Sequence, residues 1–243
     1  MDITKKYKNP PLIEAVFELF FQASDWSPAI PGTYYSKVNK DYPVITQSGG
    51  GFGIALGAQG VQIGSGNNNL TQFKSLDNSS IIQLSNNLLT VNKLPKYDGW
   101  ESYKKMILEA VQILNSIIDI QKIDRIGLRV INKVDVKSHS LENFKGSFNV
   151  YPIIPEGIVN DFNSLQLNYE TPFADNEVLA VNLATLRKEP GYQAPVSFQL
   201  YFTKVASLDK NLIEKWLDNA HVQLHLAFDH IVTTQQKEEF DND

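Results

Sequence analysis

Arg125, Gly127, Arg129, Ile131 and Lys133 alternate through the run Arg125-Ile-Gly-Leu-Arg-Val-Ile-Asn-Lys-Val-Asp135. In a strand, successive side chains point to opposite faces. Two arginines and a lysine then project from one side, while Ile126, Leu128, Val130, Asn132 and Val134 take the other. A guanidinium presents a planar fork of donors that fits a carboxylate or a phosphate. Arg125, Arg129 and Lys133 are therefore candidate ligands for a small anion. The competing account is cross-strand pairing, for which Glu14 and Glu18 stand ready on the mixed face of an earlier strand. Cross-strand pairing carries more weight. Gly127 marks either a bulge or a place where another part of the chain comes close.

A second set recurs every four residues near the end: His221, His225 and Asp229. On a helix they form one stripe, and histidines at that spacing can chelate zinc or nickel. The metalloprotease pattern needs a glutamate right after the first histidine, and Val222 stands there. His230 falls roughly opposite His221. A polar helix edge, with His225 paired to Asp229, explains the stripe better than a metal, and no cofactor is expected. The glycines of Gly49-Gly-Gly-Phe-Gly53 and Gly57-Ala-Gln-Gly60 precede no Gly-Lys-Ser/Thr and open no βαβ unit, so they read as hairpin turns. Glu14 and Glu18 lie about 13 Å apart along a strand, too far to share a proton. No serine sits in a nucleophile elbow.

Composition narrows the classes further. The chain of 243 residues has no cysteine, which removes disulfides, zinc–thiolate sites and thiol catalysis. A net charge of −5 disfavours general nucleic-acid binding, and the aromatics do not interleave with basic residues as a stacking platform requires. No stretch approaches the roughly 18 apolar residues that span a bilayer, and no apolar signal core opens the chain. These features point to the cytoplasm.

Elements must position these residues. Pro10-Pro11 sets off a strand over 12–21, with Ile13, Ala15, Phe17, Leu19 and Phe21 on one face. A short helix follows over 31–42, and Pro43 ends it. Residues 44–94 read as short strands, with Asp77-Asn-Ser-Ser80 and Asn86-Asn87 as hairpin turns. Asp98 is placed to cap a helix that begins near Gly99, with Glu101 as capping-box partner. Trp100, Tyr103, Ile107, Ala110, Val111 and Leu114 form its apolar stripe. After the strand at 126–136 come a short segment at 141–144, a loop over 151–163 and strands near 164–170, 178–186 and 195–204. Asp209 caps a last helix over 210–232, and the acidic tail at 235–243 is expected to fray.

The expected fold class is α+β: a curved antiparallel sheet with two long helices packed on it. The chain reads as a single module over 1–243. Residues 9–120 and 121–234 share the order strand, short helix, strands, long helix, which suggests a tandem structural duplication.

Four motifs occur together: Asn9-Pro-Pro-Leu-Ile-Glu-Ala-Val-Phe-Glu-Leu19, Tyr97-Asp-Gly-Trp100, Arg125-Ile-Gly-Leu-Arg-Val-Ile-Asn132, and Ala220-His221 with Phe228-Asp229. The set resembles a family of sporadically distributed bacterial proteins of unknown function. Val130 stands where that family usually has Tyr, and Lys133 where it often has Arg. The resemblance implies one full-length module and brings no reaction and no cofactor. The expected function is therefore a non-enzymatic binding or protein-interaction module, acting through an unknown protein partner or through self-association and not at a membrane. The alternative is a binder of a small anion or nucleotide, or an enzyme, using Arg125, Arg129 and Lys133.

Overall fold

The computed structural model describes residues 7–48, 51–57, 60–66, 70–95, 97–155, 157–158, 161–187, 191–205 and 209–242. Eleven strands lie among them: β1 (Leu12–Ala23), β2 (Val44–Ser48), β3 (Gly51–Gly57), β4 (Gly60–Gly66), β5 (Leu70–Lys74), β6 (Ser80–Leu84), β7 (Leu88–Lys93), β8 (Ile120–Val136), β9 (Gln166–Pro172), β10 (Glu177–Thr185) and β11 (Ala194–Lys204). Five helices accompany them: α1 (Ile30–Val38), α2 (Trp100–Asn115), α3 (Leu141–Ser147), α4 (Ile213–Ile231) and α5 (Thr234–Glu239). The fold class is α+β. Nine strands form one open antiparallel sheet in the order β2-β5-β6-β7-β1-β8-β11-β10-β9, and β3 and β4 pair separately. Among the described residues no helix is long and apolar enough to cross a membrane.

Alternation sets the two faces of the sheet. Ala15, Phe17, Leu19 and Phe21 of β1 join Ile126, Leu128, Val134 and Val136 of β8 in the core. Val196, Phe198, Leu200 and Phe202 of β11 and Leu179, Val181 and Leu183 of β10 extend that surface. The helices cover it. Tyr34 and Val38 of α1, Tyr103, Ile107 and Leu114 of α2, and Trp216, Leu217 and Leu224 of α4 all belong to the same buried cluster. A helix stripe three and four residues apart meets a strand row two apart, so one continuous core results.

Each outer strand set returns to a central strand. The meander β5-β6-β7 comes back beside β1, and the meander β9-β10-β11 comes back beside β8. β1 and β8 then pair with each other, antiparallel, over most of their length. β8 begins at Ile120, six residues before the sequence pattern suggests, and runs for 17 residues. Its register with β1 slips between Leu12 and Glu14, between Phe20 and Phe21, and between Gln22 and Ala23; none of these slips falls at Gly127, which pairs with Glu18.

Several expected boundaries need correction. Gly99, at φ 108°, occupies the N-cap of α2 and makes no side-chain cap; Asp98 instead reaches Lys93 at 3.5 Å. A positive φ of this kind suits glycine, which explains why the cap falls there. Asp209 caps a single 3-10 turn over Lys210–Leu212 before α4 starts at Ile213. The acidic tail is folded: Thr233 caps α5, Lys237 binds Asp229 at 2.6 Å, and Phe240 is buried against Tyr7 and Phe228. Residues 51–57 and 60–66 are strands within the expected run of short strands, and they extend over residues 51–53, Gly57 and Gly60, where turns are expected. Residues 49–50 and 58–59, on which the expected turns partly fall, lie outside the described residues.

Gly127 is the close approach. A Cβ there would stand 2.4 Å from the Tyr201 hydroxyl oxygen and 2.5 Å from Cε2 of its ring. The Tyr201 ring is buried and lies against the Arg129 guanidinium, so it has little room to swing aside. Gly127→Ala should destabilise the fold by about 1–3 kcal/mol through overpacking, as read from urea unfolding. In a Tyr201→Ala background the same substitution should cost much less. Equal costs in the two backgrounds would show that the ring is not the obstacle.

Candidate functional site

Each of the three cations meets an aromatic ring, and strand pairing sets two of these contacts. The Arg125 guanidinium lies over Phe20 of β1 at 3.9 Å. That of Arg129 lies over Tyr201 of β11 at 4.6 Å, and Lys133 Nζ lies over Tyr192 at 3.9 Å. Phe20 is the register partner of Arg125, and Tyr201 that of Arg129, so the contacts follow from pairing. A cation over a ring face is attracted by the ring quadrupole, more so when water is excluded.

Arg129 is the innermost of the three, 3% exposed, and donates through Nη2 to Glu18 Oε2 at 3.4 Å. Glu14 accepts from Asn92 at 2.7 Å. The cross-strand account of the acidic face therefore describes Glu18, and the two carboxylates have separate partners. Burial raises the Tyr201 phenol to about 12, and the neighbouring Glu18 adds to the shift, so the ring under Arg129 stays neutral. Arg125 and Arg129 thus stand within the sheet, and only Lys133, at the far end of the row, reaches an open cleft.

That cleft has a volume of about 1530 Å³. It opens where β1 begins and β8 ends. The segment Tyr7–Leu12 enters along it, the start of α2 forms one wall, and His221, Val222 and His225 of α4 form another. Asn143, Gly146 and Ser147 of α3 close a further side. Asn9 N–H donates to the Phe240 carbonyl at 2.9 Å and Lys133 N–H to the Pro11 carbonyl at 2.8 Å, which fixes the entering segment between α5 and β8.

The wall at α2 is a compact unit. Trp100 stacks on His221 with centroids 4.2 Å apart and planes 7° from parallel. Its indole N–H donates to Asp218 at 3.2 Å, and Lys104 reaches the same carboxylate oxygen at 3.0 Å. Tyr103 meets Trp100 and Tyr97 edge-on, and its buried hydroxyl donates to the Val91 carbonyl at 2.8 Å. A glycine at the N-cap lets Tyr97 and Trp100 sit on the two sides of a sharp turn, so both rings face the cleft.

The histidine stripe is divided between three tasks. His221 is taken up by the Trp100 stack, His225 lines the cleft with Nδ1 buried and without a hydrogen-bond partner, and Asp229 is held by Lys237. His225 does not pair with Asp229 through any hydrogen bond. Among the described residues no three His, Asp or Glu side chains gather to hold a metal ion. Sequence spacing located the stripe, but the use of each member depends on α2, from elsewhere in the chain, and on α5, which follows α4 directly.

No protein-family model and no curated protein matches this sequence.

Two outcomes are expected. Glu18→Ala leaves the Arg129 guanidinium buried without its carboxylate and should cost roughly 3–5 kcal/mol in urea unfolding, whereas Glu18→Leu with Arg129→Met should restore much of the loss. A double variant no more stable than Glu18→Ala would mean that the isolated charge was not the cause. The second outcome concerns His221, whose pKa burial lowers from 6.5 to about 4, with the charge of His225 helping. The unfolded chain takes up a proton there that the stacked ring refuses. This contribution to stability is complete above pH 6.5 and is lost as pH falls toward 4. The His221 ring resonances in an NMR titration should move with a midpoint near 4. A midpoint near 6.5 would contradict desolvation by the Trp100 stack.

Proposed function

We propose that this chain is a non-enzymatic binding module that receives a protein segment in the cleft between the Tyr7–Leu12 segment, α2 and α4. The observation that carries this reading is convergence. Asn9-Pro10-Pro11-Leu12, Tyr97-Asp98-Gly99-Trp100 and His221 are separated by most of the chain, yet all three line one concavity. Its rings and prolines supply apolar contact, and polar side chains such as Gln193 and Gln235 also line it. The cleft is larger than the 300–1,000 Å³ usual for one small ligand, which favours a stretch of polypeptide.

The topology bears on how such a cleft arises. In the first half, β1 is followed by α1, the meander β5-β6-β7 and α2. In the second, β8 is followed by α3, the meander β9-β10-β11 and α4. Each meander returns to its own leading strand in the same order, and the two leading strands pair antiparallel. We read this as a tandem duplication within a single module, with halves 9–120 and 121–234, and with α2 and α4 as its two long helices. The cleft then lies at the seam, where the start of one leading strand meets the end of the other. The four motifs that resemble the sporadically distributed bacterial family extend over both halves, which fits one module.

Chemical crosslinking with mass spectrometry tests the site. Lys8, Lys133 and Lys137 line the cleft. In cells that encode the chain, they should crosslink to a polypeptide segment of another protein or of a second copy. Val222→Arg, which places a long charged side chain inside the cleft, should abolish those links, while Gln83→Arg on β6 leaves them unchanged. Crosslinks from these lysines that persist in Val222→Arg would exclude the cleft as the receiving site.

A further inference from the structure

Segments from the two ends of the chain close one side of the cleft together. Asn9 N–H donates to the Phe240 carbonyl, and the Asn9 side-chain amide donates to the Asn242 carbonyl at 2.8 Å. Lys8 N–H reaches Asp241 Oδ1 at 3.4 Å, and the Tyr7 ring meets Phe240 edge-on at 5.4 Å. Tyr7, Lys8, Asn9, Gln235, Glu239 and Phe240 all line the cleft. This wall is therefore one body made from two remote stretches that bond to each other.

An apolar and an ionic catch, side by side near the end of α4, hold the wall to the rest of the molecule. In the apolar catch Phe228 meets Tyr7 at 6.2 Å and Phe240 at 6.4 Å, and Phe228 is itself rooted by stacking on Phe198 of β11. In the ionic catch Lys237 Nζ lies 2.6 Å from Asp229 Oδ1. Among the described residues, α5 and the turn after it bury only Gln236 and Phe240, and Lys8, Asn9 and Pro10 are exposed. Segments with few buried apolar contacts open at much lower free energy than paired core strands do. Each stretch also has a sharp boundary. Pro10 and Pro11 have no N–H to give the sheet, and firm attachment begins where the Pro11 carbonyl accepts from Lys133 N–H. At the other end Val232 and Thr233 are extended between α4 and α5, and Thr233 N–H donates to the Ser147 carbonyl at 3.0 Å. Rotation about these two boundaries moves the wall and leaves β1, β8 and α4 in place.

We propose that residues 7–9 and 234–242 form a clasp that opens as one unit, with the rest of the fold intact, and gates the cleft. The gating role rests on the cleft being the receiving site and adds how that site is entered.

Hydrogen exchange of the full chain, resolved by NMR, tests the unit. The Asn9 amide and the Lys237 amide, which donates to the Thr233 carbonyl at 3.0 Å, should share one opening equilibrium well below global unfolding. Phe240→Ala removes the ring contacts to Tyr7 and Phe228 and should speed both amides by about tenfold, while the Lys133 and Thr233 amides stay slow. Lys237→Met breaks the ionic catch alone, yet it should also speed the Asn9 amide, whose bond is to Phe240. An Asn9 amide that responds to neither substitution, or that exchanges only with global unfolding, overturns the clasp. The gate has its own readout. The chain has no cysteine, so Val222→Cys places a single thiol in the cleft. Adding Phe240→Ala should quicken its reaction with a polyethylene-glycol maleimide and leave its reaction with iodoacetamide, a small reagent, unchanged. A maleimide rate that Phe240→Ala does not alter overturns the gating role. Failure of the exchange test removes the clasp and leaves the receiving site standing. Absence of cleft-lysine crosslinks from the wild type removes the receiving site, and the gating role with it.

Discussion

The pairing of β1 with β8 is the contact on which the rest of the molecule depends. It joins the two strand sets into one sheet, and its centre leaves no room for error. Glu18 stands opposite Gly127, the Tyr201 ring covers the bare Cα of that glycine, and Arg129 lies between the ring and the carboxylate. A buried ion pair contributes little net stability because desolvation offsets attraction, yet a wrong register would strand one of its charges. The pair is therefore better understood as fixing register than as adding stability. A slip of one residue would turn Phe17, Leu19, Ile126 and Leu128 out of the core together.

Ring capping changes what the row of cations does. Three positive side chains on one strand face would repel one another and attract anions if they stood in water. Here Arg125, Arg129 and Lys133 each lie on a ring from a neighbouring segment, and Arg129 has a carboxylate as well. The ring faces attract all three cations, and Glu18 also pairs with Arg129. The row then serves as a brace across β1, β8 and β11, and its last member, with Tyr192, reaches the cleft.

The cleft itself is built by distant parts of the chain for a simple reason. Antiparallel neighbours place the start of one strand beside the end of the other, so Leu12 and Val136 emerge at the same end of the sheet. The helices that follow β7 and β11 return over that end. The Trp100–His221 stack joins them, and the Asp218 carboxylate, shared by Trp100 and Lys104, holds the stack in position. A neutral His221 suits this arrangement, since a proton on the ring would put charge into an apolar contact.

Alternation and helical spacing were enough to indicate an α+β fold with antiparallel strands and the opposite faces of β8, because these patterns record which side of each element is buried. The sequence also singled out Gly127, and it named Glu18 as a possible partner for the cationic face. What a residue does on its face was decided only by tertiary contacts. Phe20, Tyr201 and Tyr192 carry no mark of lying over cations, and Trp100 reads simply as part of a core stripe, because the partner in each case is remote in sequence. The folded tail shows the same limit. Residues 235–243 look acidic and prone to fray by composition, yet Lys237 finds Asp229 and Phe240 finds Tyr7, since α4 and the entering segment bring those partners within reach. Local pattern specifies which surfaces must be buried, and only the packed chain specifies which surface meets which.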